Sequence, residues 1–158
     1  MTAIVFGSGG TQTGVSLTGL GTIATGGTGI SAAVALPYVS VTGAAGAVSV
    51  VMRANLQLNC TSFTPSTPGY LGGVWVTSDD GTNYDPYWVS NNQLFPLDAT
   101  SFSYPLQAAA TTLVRVKGII LPDVPPGGTN AKLVIFNFSG VSITVSSAAI
   151  YPAGDASG

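Results

Sequence analysis

The sequence has very little charge. Of its 158 residues only ten are charged, namely four Lys or Arg and six Asp, and it contains no Glu and no His. Charged residues make up 6% of the chain, whereas soluble domains average about 25%. Four scattered cations and a net charge of −2 exclude a nucleic-acid-binding surface, because such surfaces need clustered cations. Without His, imidazole-based catalysis is excluded, and zinc and iron sites lose their commonest ligand.

Cysteine and long hydrophobic runs are also scarce. A single Cys60 cannot form an internal disulfide, and its place at the end of a predicted strand indicates a buried, inert thiol. No stretch reaches the roughly 18 apolar residues of a transmembrane helix. The first residues lack the basic region of a secretory signal. We therefore assign the 46% hydrophobic content to folded strands and expect assembly in a cytoplasm.

Glycine is abundant, and it is concentrated at the start of the chain. Nine of the 21 glycines lie in residues 1–33, and no charged residue precedes Arg53. Two interpretations remain open for this segment: an extended Gly/Thr-rich N-terminal arm laid on a partner, or peripheral strands and tight turns of the same fold. The arm interpretation predicts that the interface is formed by the apolar side chains between the glycines, namely Ile4, Val5, Phe6, Val15, Leu17, Leu20, Ile23 and Ile30.

Alternating apolar and polar residues replace this pattern from residue 34 onward. The alternation predicts strands over 48–59, 112–121, 131–138 and 141–151. Two further runs, 71–78 and 84–90, flank the turn sequence of residues 79–83 and predict a hairpin. The predicted fold is all-β: a single antiparallel β-sandwich or jelly roll over residues 34–152, with a flexible tail over 153–158.

Reactive side chains are few. Asp79, Asp80, Asp85 and Asn83 form an acidic loop, but Gly81 comes too early for a calcium loop, and turn chemistry accounts for these residue types. Nothing close in sequence would raise the pKa of one carboxyl for glycoside hydrolysis, and a nucleophilic Ser would lack a His base. The sequence predicts no catalytic residue, no metal site, no cofactor and no enzymatic activity.

Large aromatic side chains surround the predicted hairpin. They are Trp75, Tyr84, Tyr87 and Trp88. One interpretation places the two Trp in the core of the fold. The other is an exposed surface that contacts a glycan or a protein partner, because aromatic rings stack on sugars and anchor interfaces.

Four segments together resemble a known class of protein. They are the uncharged Gly/Thr-rich start, the run Val-Trp-Val-Thr-Ser-Asp-Asp-Gly-Thr-Asn-Tyr, the strand Leu-Val-Arg-Val-Lys-Gly and the closing Val-Ser-Ile-Thr-Val-Ser-Ser-Ala-Ala-Ile-Tyr-Pro. With these segments the chain resembles the small accessory structural proteins of tailed bacteriophages. The resemblance implies a β-sandwich or jelly-roll module that decorates or cements a capsid, often as a trimer, or that belongs to a tail or fibre.

The resulting expectation is a virion structural protein, specifically a capsid decoration or cement protein. Its expected partners are the major capsid protein or other virion proteins and further copies of itself, with a trimer favoured and no nucleic acid or membrane. The alternative is a carbohydrate- or receptor-binding module of a phage tail or fibre, because the closing strand also resembles that of carbohydrate-binding jelly rolls. Under the arm interpretation, deletion of residues 1–30 leaves a folded chain that no longer joins its assembly.

Overall fold

The computed structural model describes residues 14–36, 53–66, 69–84, 102–122 and 129–153. Within these ranges the chain forms strands and no helix, so the all-β prediction is confirmed. No helix of the described residues could therefore cross a membrane. The strands are β1 (Val15–Ser16), β2 (Thr22–Ile23), β3 (Thr28–Ile30), β4 (Arg53–Phe63), β5 (Gly69–Thr77), β6 (Phe102–Leu106), β7 (Thr111–Ile120), β8 (Ala131–Phe138) and β9 (Ile143–Ala153).

The strands form two antiparallel sheets. The first sheet has the order β1-β9-β4-β7, and β2 pairs with β9 beside β1. The second sheet has the order β3-β8-β5-β6. Because β2 belongs to the first sheet and β3 to the second, the chain changes sheet in the short turn at residues 24–27.

One hydrophobic cluster is shared by the two sheets. Leu56 and Leu58 of β4 alternate with polar residues and are 1% exposed, which confirms the predicted alternation over the described part of 48–59. The second sheet contributes Leu71 of β5 and Leu133 and Ile135 of β8 to the same cluster. The inward-facing apolar residues of each sheet are therefore buried against those of the other sheet.

The second sheet is apolar on its outer face as well. Val74 and Val76 of β5 and Val134 and Phe136 of β8 form a separate buried cluster there. Strands buried on both faces have continuous apolar runs instead of alternation. This explains the uninterrupted Leu133–Phe136 segment of the sequence.

The described part of the N-terminal segment, residues 14–33, belongs to the fold as peripheral strands. Leu17, Leu20 and Ile23 are 3%, 5% and 1% exposed and lie in the cluster shared by the sheets. The prediction that these three side chains form a partner interface is therefore wrong, since their apolar surface is already buried within this chain. Val15 and Ile30 are partly buried against the two clusters. The first three predicted arm residues, Ile4, Val5 and Phe6, lie outside the described residues.

Irregularities in strands β4, β7 and β9 change which residues face the core. In β9 the pairing with β4 passes from Val145 to Ser147, and the inward positions change from Ile143 to Ala148 and Ile150. In β7 the change occurs at Gly118, whose φ of 68° is the left-handed conformation that glycine adopts readily. The bulge in β7 leaves Lys117 on the outer face of the first sheet.

The predicted segment boundaries agree with the described strands to within about two residues at β5, β7, β8 and β9. Residue 153, assigned to the tail from the sequence, is the last residue of β9. The described part of the predicted hairpin is β5 and the loop 78–84; its second strand, 84–90, lies outside the described residues except for Tyr84.

Candidate functional site

The outer face of the first sheet carries a row of amide side chains. Asn55, Gln57 and Asn59 are successive outward-facing residues of β4. The Gln57 side chain donates to Asn59 at 3.5 Å, and Asn59 Nδ2 donates to Ser147 Oγ of β9 at 2.8 Å. Asn55 Oδ1 accepts the backbone N–H of Gly118 at 3.1 Å, which ties the amide row to the bulge of β7. The face is therefore polar, and its amide side chains are held in place by hydrogen bonds within the sheet.

Three of the four cations of the chain lie on this face. Arg115 and Lys117 are alternate exposed residues of β7, and a rise of about 3.4 Å per residue separates them by about 7 Å. Arg53 is the cross-strand partner of Ile120, and directly opposite residues of an antiparallel pair point to the same side of the sheet. We call Arg53, Arg115, Lys117 and Ile120 the cationic patch.

The cationic patch also contains an apolar side chain. Ile120 is 55% exposed, and it is the one large hydrophobic side chain of the described residues that is exposed. Among the described residues, no carboxylate forms an ion pair with Arg53, Arg115 or Lys117. An exposed aliphatic side chain beside arginines has the composition of a protein-binding surface, where arginine is enriched and apolar residues are buried on contact.

The acidic loop is ordered by the carboxylate of Asp80. Its Oδ1 accepts from Ser78 Oγ at 2.9 Å and from the backbone N–H groups of Thr82 and Asn83 at 2.8 and 2.7 Å, and Oδ2 accepts from Asn83 Nδ2 at 2.6 Å. The backbone hydrogen bond from Asn83, followed by those from Thr82 and the two side chains, holds the pKa of Asp80 well below its ordinary value. Asp80 therefore acts as the acceptor that shapes the loop, which is the turn role expected from its residue type.

The loop is attached to the second sheet through Tyr84. The Tyr84 hydroxyl donates to the carbonyl of Thr129, and Lys132 Nζ lies 3.9 Å from the centroid of the Tyr84 ring. Desolvation, with a smaller contribution from the negative charge of Asp80, raises the pKa of the Tyr84 hydroxyl. Tyr84 thus fastens the loop to the outer cluster of the second sheet instead of standing free for a sugar ring.

The predicted aromatic contact surface is corrected at Trp75. This side chain is 8% exposed and belongs to the cluster between the sheets, so it cannot stack on a glycan. Its odd-numbered position in β5 points inward with Leu71, which is the core interpretation weighed from the sequence. The indole Nε1 of Trp75 is buried without a hydrogen-bond partner. Tyr87 and Trp88 lie outside the described residues.

A buried polar residue that the sequence analysis did not single out connects the N-terminal segment to the core. Asn137 is fully buried in β8, and its Nδ2 donates to the carbonyls of Ile23 at 2.9 Å and Val141 at 2.7 Å. Its Oδ1 accepts from the backbone N–H and the hydroxyl of Ser139, at 3.0 and 2.6 Å. The sequence does contain a signal for this role, because Asn137 is an amide at an inward-facing position between Phe136 and Phe138 of an apolar strand.

Cys60 and the acidic residues offer no metal site within the described ranges. Cys60 is buried, and burial raises the pKa of its thiol, which agrees with the inert thiol expected from the sequence. The described residues contain no group of three His, Cys, Asp or Glu side chains that could hold a metal ion; Asp85 lies outside them. Comparisons with protein-family models, with curated proteins and with solved structures gave no match to this chain.

Proposed function

We propose that this chain is a structural protein of a tailed-bacteriophage virion, and specifically a capsid decoration or cement protein. In this role it binds the major capsid protein or other virion proteins, together with further copies of itself, and stabilises the shell by burying surface at subunit contacts. The proposal includes a β-sandwich or jelly-roll topology, assembly in the host cytoplasm and a trimeric state. Two antiparallel sheets with a shared core support this topology.

The observation that carries the proposal is the outer face of the first sheet. On β9, β4 and β7 it carries amides, hydroxyls and the cationic patch with its exposed Ile120. Exposed arginines beside an exposed aliphatic side chain have the composition of a protein-binding surface, whereas small-molecule sites are concave and largely apolar. Association here buries apolar area at about 25 cal/mol per Å², and acidic groups of the partner are needed to offset the desolvation of the three cations.

Strand β7 offers a second means of joining a neighbour. It is ten residues long, and among the described residues it pairs only with β4. A strand at a sheet edge can add a strand from a partner through main-chain hydrogen bonds. We therefore place the contact surface of the proposed virion subunit at β7 and at the sheet face beside it.

The glycan-binding alternative requires that Trp75, Tyr87 or Trp88 be exposed. Trp75 is buried in the core, and the Tyr84 side chain is held by Thr129 and Lys132. Tyr87 and Trp88 lie outside the described residues, so no described aromatic side chain favours this alternative.

Quantitative mass spectrometry of purified virions from the phage that encodes the chain tests the proposal. We expect the chain in intact particles after gradient purification, at a copy number that is a fixed ratio to the major capsid protein. Its absence from washed particles, with abundant chain in the infected-cell lysate, would contradict the virion role.

A further inference from the structure

Five of the six charged side chains of the described residues lie in two places, and the sixth, Lys132, lies on β8 beside Tyr84. Arg53, Arg115 and Lys117 lie on the outer face of the first sheet, while Asp79 and Asp80 lie in the loop that follows β5 of the second sheet. No ion pair joins the two groups within the described part of the chain. One protomer therefore presents a basic surface and an acidic loop that cannot neutralise one another within it.

We propose that the cationic patch of one protomer binds the acidic loop of a second copy of this chain. The inference rests on the proposed function, and it names the residues that join neighbouring copies. The acidic complement is present in the same molecule, and a net charge of −2 gives little general repulsion between copies. Each copy uses a different surface on its two sides, so the contact is head-to-tail, and a closed ring of three satisfies every copy.

The loop is preorganised for such a contact. Four hydrogen bonds to Asp80 fix the backbone of residues 80–83, and Tyr84 fastens the loop to Thr129 and Lys132. Asp79 is exposed at its tip and accepts none of these bonds. Little conformational freedom is lost when a rigid loop meets a sheet face, so more of the electrostatic attraction is retained as affinity.

The patch has the features that a docked acidic loop needs. Arginine forms two parallel hydrogen bonds with a carboxylate, and Arg53 and Arg115 lie on either side of the exposed Lys117. Ile120, beside Arg53, supplies apolar area that is buried when the loop covers it. We assign Asp79 to the arginines and the backbone of the loop to Ile120.

Sedimentation velocity of the purified full-length chain at about 50 mM and 500 mM NaCl tests this contact. The face variant is Arg115→Gln with Lys117→Gln, and the loop variant is Asp79→Asn. We expect each to lower the association constant by about three- to ten-fold at low salt, as the loss of interfacial charge pairs does. High salt is expected to weaken the wild type, because the Debye length falls well below 10 Å. The combination of both variants should weaken association no more than the stronger of the two, since they remove one contact.

Ser103→Ala is the control, because Ser103 is exposed on β6 and belongs to neither the cationic patch nor the acidic loop. We expect it to leave association and its salt dependence unchanged, and all variants to keep the wild-type circular dichroism spectrum. An oligomer that is indifferent to both variants overturns the inference and leaves the virion proposal standing. Additive losses in the combined variant also overturn it, because the patch would then bind something other than the loop. A wild-type chain that stays monomeric at both salt concentrations overturns both the inference and the proposed self-association.

Discussion

Several single residues of this protein have specific structural roles that its composition does not indicate. Asn137 is the clearest case, since one amide holds the carbonyls of Ile23 and Val141 and receives two bonds from Ser139. Periodicity identified β8 as a strand but could not assign this role, because the partners come from residues more than a hundred positions away and from the following turn. Trp75 differs: its burial follows directly from strand alternation.

Asn137→Ala is expected to destabilise the fold by about 2–4 kcal/mol. The substitution removes the donor to the Ile23 carbonyl and the acceptor of the Ser139 backbone N–H, and unsatisfied buried polar groups cost about 1–3 kcal/mol each. Urea unfolding followed by circular dichroism measures the change. Asn59→Ala, which removes a surface amide, is the matched control and should cost about 0.5 kcal/mol or less. Equal effects for the two variants would refute the role of Asn137 as a buried connector.

Asp80→Asn is expected to lower the melting temperature by a few degrees at pH 7. The folded-state pKa of Asp80 is depressed below its ordinary value of 3.8, so the charged carboxylate stabilises the fold above that pH and the stabilisation is lost as pH falls below it. The difference from wild type should therefore shrink between pH 4 and pH 2. Thermal unfolding across this range, at a concentration at which the chain is monomeric, is the measurement, with Asp79→Asn as the control. A difference that does not depend on pH would show that the charge of Asp80 is irrelevant to the loop.

At the scale of elements, the sequence predicted strands well and their partners poorly. Alternation located β4, β7 and β8, because one face of the first sheet is solvated and the second sheet is apolar throughout. It could not place the bulges at Gly118 and Ser146. A single extra residue switches which side chains face the core, and this leaves no mark on the composition of the strand.

The N-terminal segment shows the same limit. Its apolar residues were compatible with an arm or with peripheral strands, and periodicity cannot distinguish a partner's surface from the chain's own. In the structure, residues 14–33 form peripheral strands of the fold. Strands β1 and β2 pair with β9, and β3 pairs with β8. The absence of charge before Arg53 is thus explained in part by burial within the chain.

Deletion of residues 1–30 is accordingly expected to prevent folding, contrary to the expectation from the arm interpretation. It removes three strands and the buried Leu17, Leu20 and Ile23, and truncation of each such side chain alone costs about 2–5 kcal/mol. That sum approaches the total stability of a typical domain, about 5–15 kcal/mol. Deletion of residues 1–13 retains the nine strands of the described residues and should fold. Limited proteolysis and thermal unfolding compare the two; a cooperative transition at the wild-type temperature in the longer deletion would contradict this account.

The whole molecule combines a conventional core with an unusual surface. Its two sheets bury their apolar faces, and most charges of the described residues are placed where copies or partners can use them: three of the four basic residues lie on one sheet face and the two acidic residues lie in one loop. The sequence predicted the all-β class, and the absence of His excludes imidazole chemistry. It did not predict the cationic patch, because Arg53 lies about sixty residues from Arg115 and only the β4–β7 pairing brings them together.

We propose that this chain stabilises a virion by binding at the contacts between its subunits. The most direct test adds purified chain to particles of the same phage that lack it, and then measures bound copies and the temperature at which the genome is released. We predict saturable binding at a fixed ratio to the major capsid protein and a higher release temperature, with the Arg115→Gln, Lys117→Gln variant binding more weakly. Particles that bind no chain, or that release their genome at an unchanged temperature when saturated with it, would contradict the claim.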